Sequence, residues 1–474
     1  MGAKKRKCYS ASVQGYCAPF KGKKITLLGL GLLGRGVGDA EFLAKCGADV
    51  VAVDRKNEKE LAQSVARLER YPNITFHLGT NNREDFTNAD MVIKAAGVPL
   101  DSAEITAAKK AGVPVFMSTA LFAKYAAEAG AAIVGITGTR GKSTITQMIA
   151  HSLISAAAQA PADRRANVVV GGNVRGVSTL AQLRDVAAGT IAVLELDSWQ
   201  LQGFGDLKIS PHIAVFTNLM PDHQNYYPSM DAYFDDKANI FRYQSRRPRV
   251  GTPTGASGKN QQGAALLVGG SVLERVKAAR PKVPPQAPPP IPNSWKLNII
   301  GEHNRENAAF AAAALRALSL PEREIKNGIE SFEPVEGRLQ FVREIRGVKI
   351  YNDNNATTPE ATIAALHALT QKGFTKPLLI AGGSDKGLDM SALVAEVKAN
   401  CKLVFLLAGT GTDRIKRELP GAPMFNNLRD AVAAALAASA PGDTVLFSPA
   451  FASFGMFKNE YDRNDQFVRL INEL

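Results

Sequence analysis

The chain has 474 residues, of which 45% are hydrophobic and 21% are charged. Since a domain commonly holds about 100–200 residues, this length excludes a single small module, and the composition excludes a largely disordered or fibrous protein. The net charge of +13 is compatible with a polyanionic partner. The basic clusters are neither interleaved with aromatic residues nor set at helical spacing, so we predict no nucleic-acid partner. These clusters are Lys4 to Lys7, and Arg246, Arg247, Arg249 and Lys259.

The four cysteines are scattered and show no C-x-x-C pair or Cys/His spacing that could hold zinc. A reducing cytosol is the simplest compartment for such a chain. No apolar run approaches the ~20 residues needed to span a bilayer, and the segment after the basic start lacks the apolar stretch of a signal peptide. We therefore predict a cytoplasmic protein without a membrane span, beginning with a basic extension over residues 1–22.

Residues 23–130 have the pattern of an α/β domain. An apolar strand at residues 24–29 enters a glycine-rich turn, a helical pattern follows, and a second strand covers residues 50–54. Further apolar runs near residues 91 and 113 are separated by helical stretches. This alternation predicts a doubly wound, Rossmann-like parallel sheet.

The turn after the first strand carries the G-x-G-x-x-G pattern at Gly29, Gly31 and Gly34, and Asp54 stands twenty residues beyond Gly34. That acidic residue has the spacing at which dinucleotide-binding proteins hold a ribose, so the motif alone predicts a nicotinamide oxidoreductase. A second nucleotide-binding core follows, however, and hydride transfer does not require ATP. We therefore interpret the glycines as a cradle for a diphosphate.

Residues 131–335 form the second predicted α/β domain, with strands at residues 131–138, 190–197 and 212–219. Its strongest functional signal is TGTRGKST, from Thr137 to Thr144, where a strand meets a helix that we expect to begin near Ser143. Glycines allow backbone N–H groups to converge on a phosphate, a lysine reaches the β and γ phosphates, and a hydroxyl binds Mg²⁺. Although Ile136 occupies the first glycine position of G-x-x-x-x-G-K-[ST], the loop predicts ATP binding.

Polar residues follow the next two strands of this domain. Glu195 and Asp197 close one strand, and the other ends in Asn218 and leads to Asp222 and His223. Each residue alone could cap a helix, but together they favour a composite site for phosphate and metal. Two stretches rich in Pro and Gly, near residues 245–263 and 280–294, are predicted to be surface insertions because they do not fit a helix or a central strand.

An Ala-rich helix is predicted from Glu302 to Leu320, and a third alternation of strands and helices fills residues 336–474. The predicted fold is therefore α/β with three domains in series: a Rossmann-like domain, a P-loop ATPase-type domain and a second Rossmann-like domain. The third set of strands is predicted at residues 348–353, 376–383, 402–409 and 443–450.

Eight segments of this chain, taken in order, resemble the signature segments of the Mur ligases, and the resemblance covers about residues 23–474. It implies that the first domain holds a UDP-sugar, the second binds ATP, and the third delivers an amino acid. It further implies the substrates UDP-N-acetylmuramoyl-L-alanine and D-glutamate, joined through an acyl phosphate in peptidoglycan precursor synthesis. The segments are TGTRGKST, LELDSWQL, NLMPDH, GEHNRENAAFAAA, EGRLQFV, YNDNNATTPEAT, GGSDKGLD and SPAFASFGMFKNEYDRNDQF.

The resemblance also implies roles for matching residues, among which Lys142, His223 and Lys237 would be catalytic. The implied ATP-binding residues are Gly138, Thr139, Gly141, Lys142, Ser143, Thr144, Asn304, Asn307, Arg338 and Asp353. The implied UDP-binding residues are Gly29, Gly31, Leu32, Gly34, Asp54, Arg55 and Asn173. The implied amino-acid-binding residues are Thr357, Lys386, Ser453 and Phe454.

Two Mg²⁺ sites are implied, with Ser143, Glu195, His223 and Lys237 as ligands. Lys237 matches a lysine that the family carries as a carbamate. An ammonium group would repel Mg²⁺, whereas addition of CO₂ converts it into an anionic oxygen ligand. The alternative is an ordinary solvated lysine on a helix, beside Asp235 and Asp236.

The chain departs from the family pattern near the expected amino-acid site. Asn355 stands where the family often has a lysine, Glu460 where an aromatic residue is common, and Gly455 where an aspartate is common. The alternatives are therefore ligation of L-glutamate or another amino acid, or a folylpolyglutamate-type synthetase, in which a separate UDP-binding domain would have no role. We expect a monomer.

Overall fold

The computed structural model describes residues 15–32, 34–80, 82–161, 165–222, 226–245 and 263–474. The chain divides into two compact units, Met1–Pro289 with Ala309–Gly328, and Pro290–Ala308 with Ile329–Leu474. The first unit contains two sheets and the second contains one. Because each sheet is mainly parallel and alternates with helices, the predicted three-domain α/β class is confirmed.

The first sheet has five parallel strands in the order β3-β2-β1-β4-β5. Its central strand β1 has the apolar sequence KITLL and is mostly buried, and the chain order reverses on its two sides. The turn after β1 therefore lies at a switch point, where sheets of this class bind ligands. The elements are β1 (Lys24–Leu28), α1 (Arg35–Lys45), β2 (Asp49–Asp54), α2 (Ala62–Leu68), β3 (Ile74–Leu78), α3 (Glu84–Thr87), β4 (Met91–Lys94), α4 (Ala103–Lys110), β5 (Val115–Phe116) and α5 (Ser118–Glu128).

The second sheet has six parallel strands in the order β11-β10-β9-β6-β8-β7. One hydrophobic cluster includes residues of both the first and second sheets, so these sheets share a continuous core. Its elements are β6 (Ala132–Thr137), α6 (Lys142–Gln159), β7 (Val168–Gly172), a 3₁₀ helix (Leu180–Asp185), β8 (Ile191–Glu195), α7 (Ser198–Asp206), β9 (Ile213–Phe216), α8 (Met230–Arg242), β10 (Ala265–Val268), α9 (Gly270–Ala278) and β11 (Pro285–Gln286). Two helices follow, α10 (Glu302–Ala317) and α11 (Glu322–Glu330).

The second Pro-rich stretch supplies an edge strand that the sequence analysis did not anticipate. Strand β11 pairs in parallel with β10 and has no neighbour on its other side among the described residues. A proline cannot donate to a sheet ladder, so an edge is the position that tolerates it. Most of the other predicted insertion and the basic tip at the start of the chain lie outside the described residues.

The third sheet has the order β12-β13-β17-β14-β15-β16, in which only the β12–β13 pair is antiparallel. Separate hydrophobic clusters pack on its two faces, and this burial on both sides explains its continuous apolar strands. Its elements are β12 (Gln340–Ile345), β13 (Val348–Asn352), α12 (Pro359–Gln371), β14 (Leu378–Gly382), α13 (Ser391–Asn400), β15 (Leu403–Leu407), α14 (Thr410–Ile415), a 3₁₀ helix (Lys416–Glu418), β16 (Met424–Phe425), α15 (Leu428–Ala437), β17 (Thr444–Phe447) and α16 (Glu460–Asn472).

Two of the cysteines are joined, which their spacing did not indicate. Cys17 forms a disulfide with Cys46, with the two Cα atoms 4.8 Å apart, and Cys401 is free. The bond ties the segment before β1 to the end of α1. In the part of the chain that the structure describes, no helix has both the length and the apolar character to cross a membrane.

Candidate active site

The loop between β6 and α6 has the geometry of an anion cradle. Gly138 has φ 141°, and a Cβ built on it would overlap the Oγ1 atom of Thr217, so only glycine fits there. Gly141, in the left-handed region, is the N-cap of α6. The first backbone N–H groups of that 18-residue helix and its dipole therefore face the loop, as in phosphate-binding sites.

The two residues that follow strand β9 hold this loop in shape. The backbone N–H of Arg140 donates to Oδ1 of Asn218 over 2.8 Å, and the N–H of Thr139 donates to the carbonyl of Asn218 over 3.0 Å. The Oγ1 of Thr217 donates to the carbonyl of Arg140 over 2.6 Å. Asn218 is therefore a support of the phosphate loop rather than an isolated polar residue.

Lys142, the first residue of α6, lies folded over the loop. Its Nζ donates to the carbonyl oxygens of Gly138 and Thr139 over 2.9 and 3.1 Å. These bonds place the ammonium charge where a phosphate chain would lie. A bound phosphate would replace the two carbonyl oxygens as the acceptor of the Lys142 hydrogen bonds. Ser143 and Thr144 follow on the first turn of the helix, and Thr144 is buried.

Lys237 of α8 reaches the same loop from the other side and is only 1% exposed. Its Nζ donates to the carbonyl of Gly138 over 3.0 Å and to Oγ1 of Thr137 over 3.4 Å, and it lies 4.7 Å from the ring centre of Tyr233. Burial, together with the nearby Lys142 charge, holds the pKa of Lys237 well below its usual value. The solvated-lysine alternative is therefore wrong for this residue.

The two carboxylates at the end of β8 have different roles. Glu195 is 5% exposed and pairs in register with Ile136 of β6, just before the phosphate loop. Asp197 caps α7: its Oδ1 accepts the N–H of Gln200 over 2.7 Å, and the Gln200 side chain accepts the N–H of Asp197 in return. The capping alternative thus describes Asp197 but not Glu195.

The donor set near the loop fits Mg²⁺ in part. A carboxylate from Glu195 and a hydroxyl from Ser143 are the oxygen ligands that Mg²⁺ prefers. Lys237 as an amine is no such ligand and would fit only as a carbamate. Within the described ranges no three His, Cys, Asp or Glu side chains cluster as a metal site, and His223 lies outside those ranges.

The glycine turn of the first sheet packs tightly on the strand beside it. Gly29 has φ 97°, and a Cβ there would lie 2.7 Å from the Cβ of Ala95, at the end of β4. Asp54 ties the turn to β2, because its Oδ2 accepts the N–H of Gly31 over 2.9 Å while its Oδ1 accepts the N–H of Lys56 over 3.0 Å. The Asp54 carboxylate therefore orders the turn through the backbone.

The remaining predicted UDP-binding residues surround this turn. Leu32 is 53% exposed, and Arg55 forms an ion pair with Glu104 at 3.4 Å. A side chain at Gly34 would touch the backbone of Gly176, in the loop that begins at Asn173. The N–H of Asn173 donates to the carbonyl of Glu195 over 2.8 Å. Within the first unit, the glycine turn thus lies beside the loop that borders the Glu195 strand end.

The other predicted ATP-binding residues belong to the second unit. Asn304 donates to the carbonyl of Ile300 over 2.7 Å, and its Oδ1 accepts the Nδ2 of Asn307 over 2.9 Å, so these two amides form one pair. Asp353 accepts the N–H of Leu339 over 3.0 Å and the hydroxyl of Ser448 over 2.8 Å. Asp353 therefore holds the turn that carries Arg338.

The predicted amino-acid-binding residues converge at the strand ends of the third sheet. The Nζ of Lys386 donates to Oγ1 of Thr357 over 3.2 Å. Ser384 pairs with Ala452 through backbone bonds of 2.9 and 3.2 Å, which brings the Lys386 loop beside buried Ser453. Phe454, whose carbonyl accepts the Ser384 hydroxyl, is 64% exposed. The Lys386 cation and the Thr357 hydroxyl thus lie together, and the Lys386 loop pairs with the segment that carries Ser453.

The sequence analysis missed two buried cations. Lys94 of β4 is 2% exposed and donates to the carbonyl of Val98 over 2.9 Å, and burial lowers its pKa to about 8. Arg463 of α16 is fully buried and bonds to Asn354 and Phe451. The partners of Arg463 lie 109 and 12 residues away along the chain, whereas the partner of Lys94 is only four residues away.

Comparison with known proteins gives matches along nearly the whole chain. The family models that match are a MurD-like N-terminal domain of Mur ligases over residues 23–117, the Mur ligase middle domain over residues 136–250, and the Mur ligase glutamate ligase domain over residues 337–451. A UDP-N-acetylmuramoylalanine–D-glutamate ligase from Roseiflexus is 34% identical over 95% of this chain and 98% of its own length. A protein of the same name from Anaeromyxobacter dehalogenans is 33% identical over 96% and 98%.

Solved structures give the same fold at low identity. A UDP-N-acetylmuramate-alanine ligase from Thermotoga maritima has a TM-score of 0.60 and 16% identity, with coverage of 95% of this chain and 99% of its own. A MurF ligase from the same organism, in complex with ADP, has a TM-score of 0.55 and 15% identity, covering 90% and 94%.

Proposed function

This chain belongs to the Mur ligase family, and we propose that it adds D-glutamate to UDP-N-acetylmuramoyl-L-alanine in peptidoglycan precursor synthesis. It is an ATP-dependent ligase. The observation that carries the proposal is the glycine loop between β6 and α6, in which Lys142 and Lys237 converge on the carbonyl of Gly138. Two lysines at a helix N-terminus suit the polyphosphate of a nucleotide.

The proposed reaction begins with the free carboxylate of the sugar nucleotide. One of its oxygens attacks the γ-phosphorus of ATP, and ADP leaves, so that an acyl phosphate forms. The amine of D-glutamate then attacks the acyl carbon, and the tetrahedral intermediate expels orthophosphate and loses a proton. The protein contributes mainly positioning and charge neutralisation, because phosphoryl transfer offers little covalent chemistry for side chains.

The nucleotide-binding roles are assigned to the residues that match the family. Gly138, Thr139, Gly141, Lys142, Ser143 and Thr144 would hold the phosphates of ATP, and Asn304, Asn307, Arg338 and Asp353 would complete its binding. The Gly29 to Gly34 turn, Leu32, Asp54, Arg55 and Asn173 would bind the UDP group. The backbone bonds of Asp54 support this role through the shape of the turn.

Mg²⁺ would be bound at two places, with Ser143 and Glu195 at one and His223 and Lys237 as further ligands. When bound, the metal would neutralise the phosphate oxygens. The buried amine of Lys237 supports its conversion to a carbamate, because a lowered pKa increases the fraction of neutral amine that can add CO₂ with loss of one proton. His223 is assigned by sequence resemblance alone.

Glutamate would bind in the second unit, between Lys386, Thr357, Ser453 and Phe454. Its two carboxylates suit the Lys386 cation, the two hydroxyl groups and backbone N–H donors. We further propose that the protein works as a monomer in the cytoplasm, without a nucleic-acid partner. The domain division would be 23–130, 131–335 and 336–474 after the basic extension.

The test is a substrate panel with purified protein, ATP, Mg²⁺, UDP-N-acetylmuramoyl-L-alanine and single D- and L-amino acids. Orthophosphate and the product mass are recorded. We expect phosphate release only when the sugar nucleotide and the amino acid are both present, and a product that contains D-glutamate. L-glutamate as the sole substrate would favour the alternative ligase, and glutamylation of a folate in place of the sugar nucleotide would favour the synthetase.

A matched pair of lysine variants tests the phosphate loop. Lys142→Ala is expected to lower kcat at least about 10²-fold, because preorganised charge at a reacting phosphate contributes on that order. Lys277→Ala, which changes an exposed lysine in α9, is expected to retain activity. Turnover by Lys142→Ala at the unaltered rate would reject the assignment of the loop.

A further inference from the structure

Arg463 stands out among the charged residues of the second unit because its side chain is fully buried. Nε donates to Oδ1 of Asn354 over 2.8 Å, Nη2 donates to the carbonyl of Asn354 over 2.9 Å, and Nη1 donates to the carbonyl of Phe451 over 3.1 Å. Every one of these acceptors, in the described part of the chain, is a neutral oxygen. A buried guanidinium needs such bonds, since an unsatisfied buried charge is strongly unfavourable.

The two segments that Arg463 joins are those that carry the proposed glutamate contacts. Asn354 lies three residues before Thr357, and Phe451 lies two residues before Ser453. The two segments also meet directly, because the N–H of Ala450 donates to the carbonyl of Ala356 over 2.8 Å. A planar guanidinium that bonds both segments therefore fixes the distance between the two hydroxyl groups.

Side-chain amides extend this connection on both sides of Arg463. Asn354 Nδ2 donates to the carbonyl of Glu460, at the start of α16, over 2.9 Å. The adjacent Asn464 accepts the Nδ2 of Asn352 over 2.8 Å and donates to the Glu336 carboxylate over 2.5 Å. The first two turns of α16 are thus hydrogen-bonded to the end of β13 and to the segment that follows it.

The charge of Arg463 is also relevant to an anionic substrate. Burial lowers its pKa only to about 10, with the Glu460 carboxylate acting in the opposite direction, so it remains protonated at neutral pH. Asn355, where the family often has a lysine, brings no charge of its own and donates instead to the carbonyl of Glu336 over 3.2 Å. The guanidinium therefore supplies a positive charge directly behind this segment.

We propose that Arg463 is a positioning residue for the amino-acid substrate: it holds residues 354–357 and 451–453 at the separation that the two carboxylates of glutamate require. It acts through Thr357 and Ser453 rather than by touching the substrate. This inference rests on the proposed function, because it takes glutamate as the occupant of the site.

The test compares Arg463→Lys and Asn354→Ala with Arg469→Lys, which changes an exposed arginine on the same helix. Arg463→Lys keeps the charge but cannot form the same fork, and Asn354→Ala removes the side-chain acceptor of Nε while the two backbone acceptors of the guanidinium remain. The KM values for D-glutamate, ATP and UDP-N-acetylmuramoyl-L-alanine are measured for each, with thermal unfolding as a check of folding. We expect the KM for D-glutamate to rise about tenfold or more, which corresponds to the loss of about one charged hydrogen bond, while the other two KM values change less than about twofold.

The double variant decides between positioning and general support. If both residues act through one connection, the effects of Arg463→Lys and Asn354→Ala on the KM for D-glutamate are not additive. An unchanged KM for D-glutamate in either folded single variant, or an equal rise in all three KM values, would overturn the inference. Asn354→Ala provides the comparison if Arg463→Lys does not fold. Failure of the unaltered protein to use glutamate would instead reject the proposed function.

Discussion

Gly138 shows how one residue determines the shape of the phosphate loop. Its positive φ and its contact with Thr217 leave no room for a side chain. We expect Gly138→Ala to lower stability by about 1–3 kcal/mol through overpacking and to reduce ATP-dependent turnover more than tenfold, on the order of a lost preorganised donor. Thermal unfolding and the phosphate assay measure both effects.

Gly270→Ala is the control for that substitution. A Cβ at Gly270, the first residue of α9, meets no atom within 4 Å, so stability is expected to stay within about 0.5 kcal/mol. Equal stability and turnover for Gly138→Ala and Gly270→Ala would contradict this account of the loop.

Lys237 offers a test of the carbamate that does not depend on turnover alone. After incubation with ¹³C-bicarbonate, we expect a carbamate signal in the ¹³C NMR spectrum of the unaltered protein but not of Lys237→Ala. The variant is also expected to lose activity and to regain part of it with added short-chain carboxylates, which replace the missing oxygen ligand. Full activity of Lys237→Ala without any carboxylate would remove the hypothesis.

Local motifs made part of the site predictable from sequence. The phosphate loop could be predicted because its glycines, lysine and hydroxyl lie within eight consecutive residues. The contacts of Arg463 could not, because its partner Asn354 comes from a distant strand end, although the spacing of Arg463 with Phe467 and Ile471 places it on the buried face of α16. From sequence, Asp197 could be a helix cap or part of a phosphate and metal site. The hydrogen bond from Gln200 identifies it as the cap of α7.

At the scale of elements, helix α1 contacts the second sheet region through one buried carboxylate. Asp39 accepts hydrogen bonds from the hydroxyl of Ser178, over 2.6 Å, and from Ser118. These bonds and the positive charge of Arg35 act to lower the pKa of Asp39. Burial nevertheless dominates and raises the pKa of Asp39 to about 6. The charged form is therefore less favourable in the folded protein than in the unfolded chain.

This raised pKa predicts how stability depends on pH. The contribution of Asp39 to folding stability is fully present below pH 4, near the pKa that Asp39 has in the unfolded chain. This contribution is lost as the pH rises to about 6, the pKa of Asp39 in the folded protein. Asn at position 39 does not titrate. Relative to the Asp39→Asn variant, the free energy of unfolding of the unaltered protein should therefore fall by up to about 3 kcal/mol over that pH range. Thermal unfolding at pH 4, 5 and 7 measures this difference, with the exposed Asp49→Asn variant as control. A difference that does not vary with pH would contradict the prediction.

Buried apolar strands were the elements most readily predicted. Strands β1, β6 and β14 are continuous apolar runs that end at glycine or polar residues, and the structure places strands there. Short or proline-containing strands were missed, as β11 shows, because pairing at a sheet edge depends on the neighbouring strand and not on the local pattern. The helix predicted from Glu302 ends at Ala317, three residues early, before Pro321.

At the scale of the whole molecule, the proposed reaction requires one chain to bind two nucleotides and an amino acid. The glycine turn after β1 and the phosphate loop after β6 both follow the central strands of parallel sheets, which are the expected binding positions of such folds. The Lys386 cation and the Thr357 hydroxyl at the end of the third sheet belong to the site that we propose for an anionic amino acid.

The central claim is that the phosphoryl group of ATP is transferred to a carboxylate oxygen of the sugar nucleotide. UDP-N-acetylmuramoyl-L-alanine labelled with ¹⁸O in its free carboxylate tests this directly, with ATP and D-glutamate supplied and the orthophosphate analysed by mass spectrometry. We expect one ¹⁸O atom in each orthophosphate for each peptide bond formed. Product formation that leaves the orthophosphate unlabelled would contradict the claim.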